Sequence, residues 1–339
     1  MKCQIKSKLS NTTCHFIILA PGDPSTQAWV TLATNDSYAL GALVLASSLR
    51  RSGTTRKIVI MTSDHLSEPM RRQLNVVFDE VVNVNILDSK DKINLALLER
   101  PELGITFTKL RCWNLVQYSK CVFLDADTMV MKNCDELFER SEFSAAPDAG
   151  WPDCFNSGVF VFTPSMETFE KLITHAATEG SFDGGDQGLL NTFFGTWATE
   201  DISKHLPFIY NMCATATYSY LPAFKRFSHN VKIIHFIGTS KPWHVKFDQQ
   251  GSPQSPLHEQ HSLEFLKHWW HIFDTDIKPS LTKMGEELKP TSEGFGGNVG
   301  GAAMMSEEQP RLETSGGHSS RSQWEEGIKV KVIVKFLYL

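Results

Sequence analysis

From Trp29 onward the chain alternates two kinds of hydrophobic pattern. WVTLAT (Trp29–Thr34) and KIVIMTS (Lys57–Ser63) are short apolar runs rich in β-branched residues, which predict strands. Between them SYALGALVLASSLRR (Ser37–Arg51) carries its apolar residues at helical spacing. A polar helix is predicted from near Ser67, then a strand over EVVNVNIL (Glu80–Leu87), a helix from Thr108 to Ser119, and a strand into CVFLDAD (Cys121–Asp127). Strands alternating with helices predict an α/β domain with a parallel sheet and crossover helices.

The second half continues with strands over FSAAPD (Phe143–Asp148) and FNSGVFVFTP (Phe155–Pro164) and a helix over METFEKLITHAATE (Met166–Glu179). A Gly-rich turn, FDGGDQG (Phe182–Gly188), opens a further helix, and KIIHFIG (Lys232–Gly238) reads as a late strand. In the last ordered helix Leu263, Leu266, Trp270, Phe273 and Ile277 recur at spacings of three and four, which predicts its core face. Beyond Leu281 the composition turns to Gly, Ser, Glu and Pro, too poor in apolar surface to fold alone. The expected organisation is an extension over 1–28, one ordered domain over 29–281 and a low-complexity tail over 282–339.

With 339 residues, 41% of them hydrophobic, the chain can bury a sizeable core. A formal net charge of −5 argues against a nucleic-acid partner, and no apolar run approaches the length of a membrane span. Seven cysteines without paired spacing read as reduced thiols. Lysines ahead of CHFIILA imitate a signal peptide, but the apolar run is minimal and no small-residue cleavage site follows, so a cytoplasmic protein is expected.

The chemistry centres on Asp125 and Asp127, which end an uninterrupted apolar strand. In extended backbone, side chains at i and i+2 leave the same face, so both acids are expected to point at one spot. Asp274-Thr275-Asp276 shows that such pairs also arise by chance, and that second pair, among polar residues, is expected to face water. Hard oxygen ligands suit Mg²⁺ or Mn²⁺, and an added imidazole tilts the choice toward Mn²⁺. Among 12 histidines His235 alone interrupts an apolar strand. A lone strand histidine is more often a hydrogen-bonded core residue, and its neighbours Gly238 and Lys241 raise its interest. In FDGGDQG, a helix cap accounts for one of Asp183 and Asp186 but does not need both. Such a turn, with Gln187, also suits a sugar. Arg100, Lys109 and Lys241 lie in apolar or glycine-bearing segments and could meet a diphosphate.

Several long blocks then carry a resemblance: TLATNDSYALGAL, RPELGITFTKLRCW, YSKCVFLDADT, SAAPDAGWPDCFNSGVFVF, GSFDGGDQGLLNTFF, KHLPFIYN, YSYLPAF and HFIGTSKPW. From about Trp29 to Leu281 the chain resembles the glycogenins, the self-glucosylating primers of glycogen synthesis. The resemblance implies a GT-A (Rossmann-like) nucleotide-sugar transferase fold with a mostly parallel central sheet. It also implies UDP-glucose as donor, Mn²⁺ as metal with Mg²⁺ as the alternative, and retention at the anomeric carbon. The metal ligands it implies are Asp125, Asp127 and His235. Leu32, Thr34, Asn35, Tyr38 and Arg100 would line the nucleotide site; Ala126, Gly238, Lys109 and Lys241 would flank the diphosphate; Asn156, Ser157, Asp183, Asp186 and Gln187 would face the sugar. Asp186 would attack or stabilise charge, and the acceptor would be Tyr218 of the protein itself, with Tyr220 as its neighbour. A homodimer is implied as well. Near the end RSQWEEG (Arg321–Gly327) resembles only the start of the segment by which glycogenins recruit glycogen synthase, so that partnership stays open. So do a weakly catalytic scaffold carrying glucan made elsewhere and a hexosyltransferase acting on a separate small acceptor.

Overall fold

The strands form where the sequence is apolar on both faces. The computed structural model describes residues 22–90, 101–214, 220–245 and 262–281, all within one unit of the chain, Met1–Pro290. Strands β1 (Gln27–Ala33), β2 (Lys57–Thr62), β3 (Glu80–Asn83) and β4 (Lys120–Leu124) run parallel. The short β5 (Thr128–Val130) leaves this sheet, while β6 (Ser144–Pro147) and β7 (Phe155–Phe162) return to it with antiparallel pairings. The six-stranded order is β3-β2-β1-β4-β7-β6, and β5 joins β8 (Met212–Cys213) and β9 (Ile233–His235) in a small sheet ordered β5-β9-β8. The fold is thus α/β with a mostly parallel central sheet.

Alternate residues of the strands feed two separate cores, as strand periodicity requires. Trp29, Ile58, Ile60, Val122, Leu124 and Val161 share one with helices α1 (Asp36–Arg51) and α2 (Glu68–Val77). Val30, Val59, Met61, Phe123, Phe160 and Phe162 share the other with the 3-10 helix Pro101–Asn114, α3 (Met166–Thr178) and α4 (Asp186–Phe193). Local signals set the ends: Asn35 caps α1 and Ser67 caps α2, each side-chain oxygen accepting from the N–H three residues on.

Three expectations need correction. The helix placed at Thr108–Ser119 is a 3-10 helix over Pro101–Asn114. Phe107, Leu110 and Trp113 are all buried and repeat every three residues, the period that lines up one edge of a 3-10 helix. The strand placed at Glu80–Leu87 ends at Asn83, on the edge of the sheet.

The terminal stripe is rotated. Helix α5 is the short Leu221–Phe227, and α6 runs Leu263–Ile272 into a π-helical turn, Phe273–Ile277. Phe265, Leu266, Trp269 and Ile272 are buried on α6, whereas Leu263 is exposed and Trp270 and Phe273 are half-buried. The π-turn adds one residue to the repeat, which carries the buried position from Ile272 to Ile277 and brings Asp276 against α1. Asp274 and Asp276 are exposed, as expected, and Asp276 in addition accepts two bonds from Arg51, at 2.7 and 2.6 Å, and one from Ser47. No helix among the described residues is long and apolar enough to cross a membrane.

Candidate active site

After β1 the chain builds β2 and β3 on one side, then returns to lay β4 on the other. That reversal leaves a crevice at the carboxyl ends of β1 and β4, where open α/β sheets bind ligands. A cavity of about 450 Å³ occupies it. Leu32, Thr34, Asn35 and Tyr38 line it from the end of β1 and the start of α1, and Ala126, Ile237 and Gly238 from the loops beyond β4 and β9. Because β6 points the same way as β4, Asp148 at its end reaches the same edge.

Asp125 and Asp127 do converge, but not by strand alternation. Asp125 still pairs with β7 through its N–H and the Gly158 carbonyl, at 2.8 Å, and the chain then turns. The N–H and hydroxyl of Thr128 both donate to the Asp125 carbonyl, at 2.9 and 2.7 Å, closing the turn into β5. Antiparallel pairing sets His235 of β9 directly opposite Thr128. Its Nε2 lies 3.2 Å from Oδ1 of Asp127 and 3.9 Å from Oδ2 of Asp125. One ligand atom from each of Asp125, Asp127 and His235 falls within 4.8 Å of the others. A Cβ on Gly158 would overlap the His235 ring, so only glycine allows β7 and β9 this approach.

Two buried lysines bind the acids together. Lys109, 3% exposed on the 3-10 helix, sits 3.0 Å from Asp125, 2.6 Å from Asp186 and 3.2 Å from the Ser157 carbonyl. Burial works against its charge, but the carboxylates of Asp125 and Asp186 outweigh it and hold the pKa above the ordinary lysine value. Lys241 pairs with Asp127 and donates to the Phe236 carbonyl at 3.0 Å; Gly238, at φ 110°, supplies the left-handed turn that folds it back. Burial pushes the Asp127 pKa up, and Lys241 and His235 pull it further down, so it ends below the usual carboxylate range. Asp125 goes the other way: burial raises it, and Asp127 and Asp186 add to that against the pull of Lys109.

The Gly-rich turn divides its two acids between the two roles. Asp183 braces the loop, accepting from the Ser181 hydroxyl and from the N–H groups of Gly185 and Gly188 at 2.7, 2.9 and 3.0 Å. Asp186 opens α4 and accepts from the Ser157 hydroxyl at 2.7 Å, which leaves it beside the cavity with Lys109. Asn156, Ser157 and Gln187 complete that wall. Arg100 and Tyr218 lie outside the described residues; Tyr220 begins the next described segment and is 67% exposed.

Sequence reasoning missed Asp148, Ile105, Thr106 and Asn211. The first three line the cavity, and Asn211 stands behind it, bonded to His235 at 2.9 Å. Asp148 carried a usable signal, since it ends the apolar SAAP just as Asp125 ends CVFL. Asn211 carried none.

The residues fit a divalent cation. Five carboxylates (Asp125, Asp127, Asp148, Asp183, Asp186) line the cavity against two ammonium groups, Lys109 and Lys241, and the surplus favours positive charge. Two hard carboxylates and one imidazole form the donor set.

The sequence profile of glycosyl transferase family 8 matches residues 29–141 and 139–246. Glycogenin-1 of Oryctolagus cuniculus is 57% identical over 266 residues, which cover 76% of this chain and 79% of that one. The chain belongs to this family, among the glycogenins. Glycogenin-1 of Homo sapiens is likewise 57% identical, over 262 residues, 76% of this chain and 75% of that one. Among solved structures, the apo form of the bifunctional glycosyltransferase WbbM aligns with a TM-score of 0.54 at 17% identity, over 78% of this chain and 53% of that one, a likeness of fold alone. Membership in family 8 makes the chain a retaining glycosyltransferase of GT-A fold that works with a nucleotide sugar and a divalent metal.

Proposed function

We propose that this glycogenin, a self-glucosylating primer of glycogen, takes glucose from UDP-glucose and places it on its own Tyr218. It then extends an α-1,4-glucan, with Mn²⁺ held by Asp125, Asp127 and His235. The observation that carries the reading is the meeting of those three ligands with Lys109, Lys241 and Asp186 at one crevice. The bound metal supplies neutralisation of the charge that grows on the leaving diphosphate.

The chain's own residues do the rest. Lys241, already seated at Asp127, meets the diphosphate with a second positive charge. Lys109 joins Asp125 to Asp186 and so fixes the distance between the metal end and the sugar end of the site. Asp186, oriented by Ser157, serves at the anomeric carbon, as a nucleophile in a double displacement or as a charge stabiliser in a same-face reaction. Asn156 and Gln187 present amides to sugar hydroxyls. The bond from glucose to the β-phosphate oxygen breaks, the bond to the phenol oxygen forms, and the phenol proton passes to the departing phosphate or a nearby carboxylate. The reading includes a cytosolic homodimer and a transferase domain over 29–281; the family match over residues 29–141 and 139–246 supports the domain.

Intact mass of the purified chain, before and after UDP-glucose and Mn²⁺, tests it. A ladder of hexose masses is expected, lost with chelator and lost in Tyr218→Phe. A ladder that survives Tyr218→Phe would move the acceptor elsewhere, hexose released on a small sugar would make the acceptor a separate molecule, and a ladder that forms only with an active partner would make the chain a scaffold.

A further inference from the structure

Asn211 ends the 3-10 turn Phe208–Tyr210, opens β8 and is 2% exposed. Its side chain stands between His235 and a hydrogen-bonded row that runs to the far wall of the cavity. The Asn211 oxygen lies 2.9 Å from Nδ1 of His235, and its nitrogen donates to Oδ1 of Asn156 at 2.8 Å. Oδ1 of Asn156 also accepts from the Gly158 N–H at 3.0 Å, and the Asn156 nitrogen donates to Oδ2 of Asp148 at 2.9 Å.

The polarity of this row is forced from its ends. A backbone N–H only donates, and an ionised carboxylate only accepts. Asp148 receives three further donors: the N–H groups of Gly150 and Trp151, at 2.7 and 3.3 Å, and the Gln187 nitrogen, at 3.2 Å. Gln187 is itself turned that way because its oxygen accepts from the Ser157 N–H at 3.2 Å. Asn156 must therefore give its oxygen to Gly158 and its nitrogen to Asp148. Asn211 then faces an oxygen, to which it offers its nitrogen, and this leaves its own oxygen for the imidazole. Nδ1 of the ring therefore carries a proton, and Nε2 is the nitrogen that faces Asp127 and Asp125, 3.2 and 3.9 Å away. Turning any amide over, or taking the proton off Nδ1, sets two donors or two acceptors face to face in a buried place.

We propose that Asn211 is a positioning residue that holds His235 as the Nδ1-protonated tautomer, so that Nε2 is ready for a divalent cation shared with Asp125 and Asp127. The inference rests on the reading of those three residues as the metal site. A metal-binding imidazole must present an unprotonated nitrogen, and a partner on the other nitrogen selects which one. The row also extends this control across the cavity, because the polarity of Asn211 is fixed by Asn156, which the sugar wall holds.

The full chain, metal-free, gives the first test: ¹⁵N NMR of His235, assigned by loss of its signals in His235→Gln. The expected spectrum shows a proton on Nδ1, and a ring protonated on Nε2 alone overturns the proposal whether or not the metal site is real. Calorimetric titration with Mn²⁺ alone gives the second. Asn211→Leu, which removes the acceptor, should weaken Mn²⁺ binding about 10- to 100-fold. Asn211→Asp keeps an oxygen at Nδ1 and should bind within a few-fold of the wild type, although its second oxygen faces Asn156 and should lower the melting temperature. Equal Mn²⁺ affinity in wild type and Asn211→Leu, or equal loss in both variants, would reduce Asn211 to a packing residue. Failure of the metal reading itself would look different, as absence of Mn²⁺ binding in the wild type.

Discussion

The chain contains the tripeptide pattern D-x-D twice, at Asp125–Asp127 and at Asp274–Asp276, and the two do opposite work. Asp276 is met by a matched partner: Arg51 grips it through two bonds, Ser47 and Thr275 add others, and the pair pins the terminal helix to α1. Its pKa falls to about 2, chiefly through the bonds from Arg51. Asp125 sits in a crowd of its own sign, close enough to Asp127 and Asp186 that burial and repulsion together raise its pKa. The first cluster holds more acids than cations and the second balances its charges. Surplus charge, not the motif, distinguishes a binding site from a structural pair.

Substitutions should separate the two. Asp127→Asn and His235→Ala are each expected to lower glucosyl transfer by at least about 10²–10³-fold, the scale of losing a preorganised electrostatic partner of the leaving group. Asp125→Asn should do the same while leaving the melting temperature unchanged or higher, since it removes one of the crowded charges. A large loss of stability in Asp125→Asn would break the comparison.

Lys109→Met is the next largest effect and crosses both categories. It strands Asp125 and Asp186 as buried acids without their shared cation, so unfolding in urea should show a loss of about 3–5 kcal/mol. Gly158→Ala is smaller: the added carbon must displace the His235 ring, and Mn²⁺ affinity should drop about 10-fold with little change in secondary structure by circular dichroism.

Asp276→Asn should be the mildest. The pair with Arg51 is partly exposed, so about 1 kcal/mol of stability is expected to go, a shift of roughly 2–4 °C in melting temperature, with transfer activity unchanged. The pH dependence has a definite sign. The folded pKa is depressed, so the contribution is fully present above the unfolded value of about 3.9 and is lost as pH falls toward 2. The melting temperatures of wild type and Asp276→Asn should therefore converge in that acid window. Divergence there would assign the stabilisation to another group.

Sequence by itself determined every major strand of the central sheet, because runs such as IVIM and CVFL are buried on both faces and their β-branched and apolar residues leave little alternative. It also determined the start of a helix near Ser67 and the position of Asp125 and Asp127 at a carboxyl edge. Where two periods compete, local pattern was not enough. The run containing Phe107, Leu110 and Trp113 fits an α-helix or a 3-10 helix in sequence, and packing against Phe123 and Phe160 chose the tighter one. On α6 the π-turn shifted the buried stripe by a residue, an insertion that no periodic reading detects.

The site belongs mostly to tertiary structure. Asp127 and His235 are 108 positions apart in numbering (235 − 127), and only the pairing of β5 with β9 makes them neighbours. Lys109 reached Asp186 through packing of the 3-10 helix on α4, and Asn211 reached His235 through the pairing of β8 with β9. The physical reason is the range of the forces. Backbone propensity and burial act within a few residues and can be read in order along the chain, whereas hydrogen bonds and ion pairs depend on distances of about 3 Å that exist only after the sheets have closed.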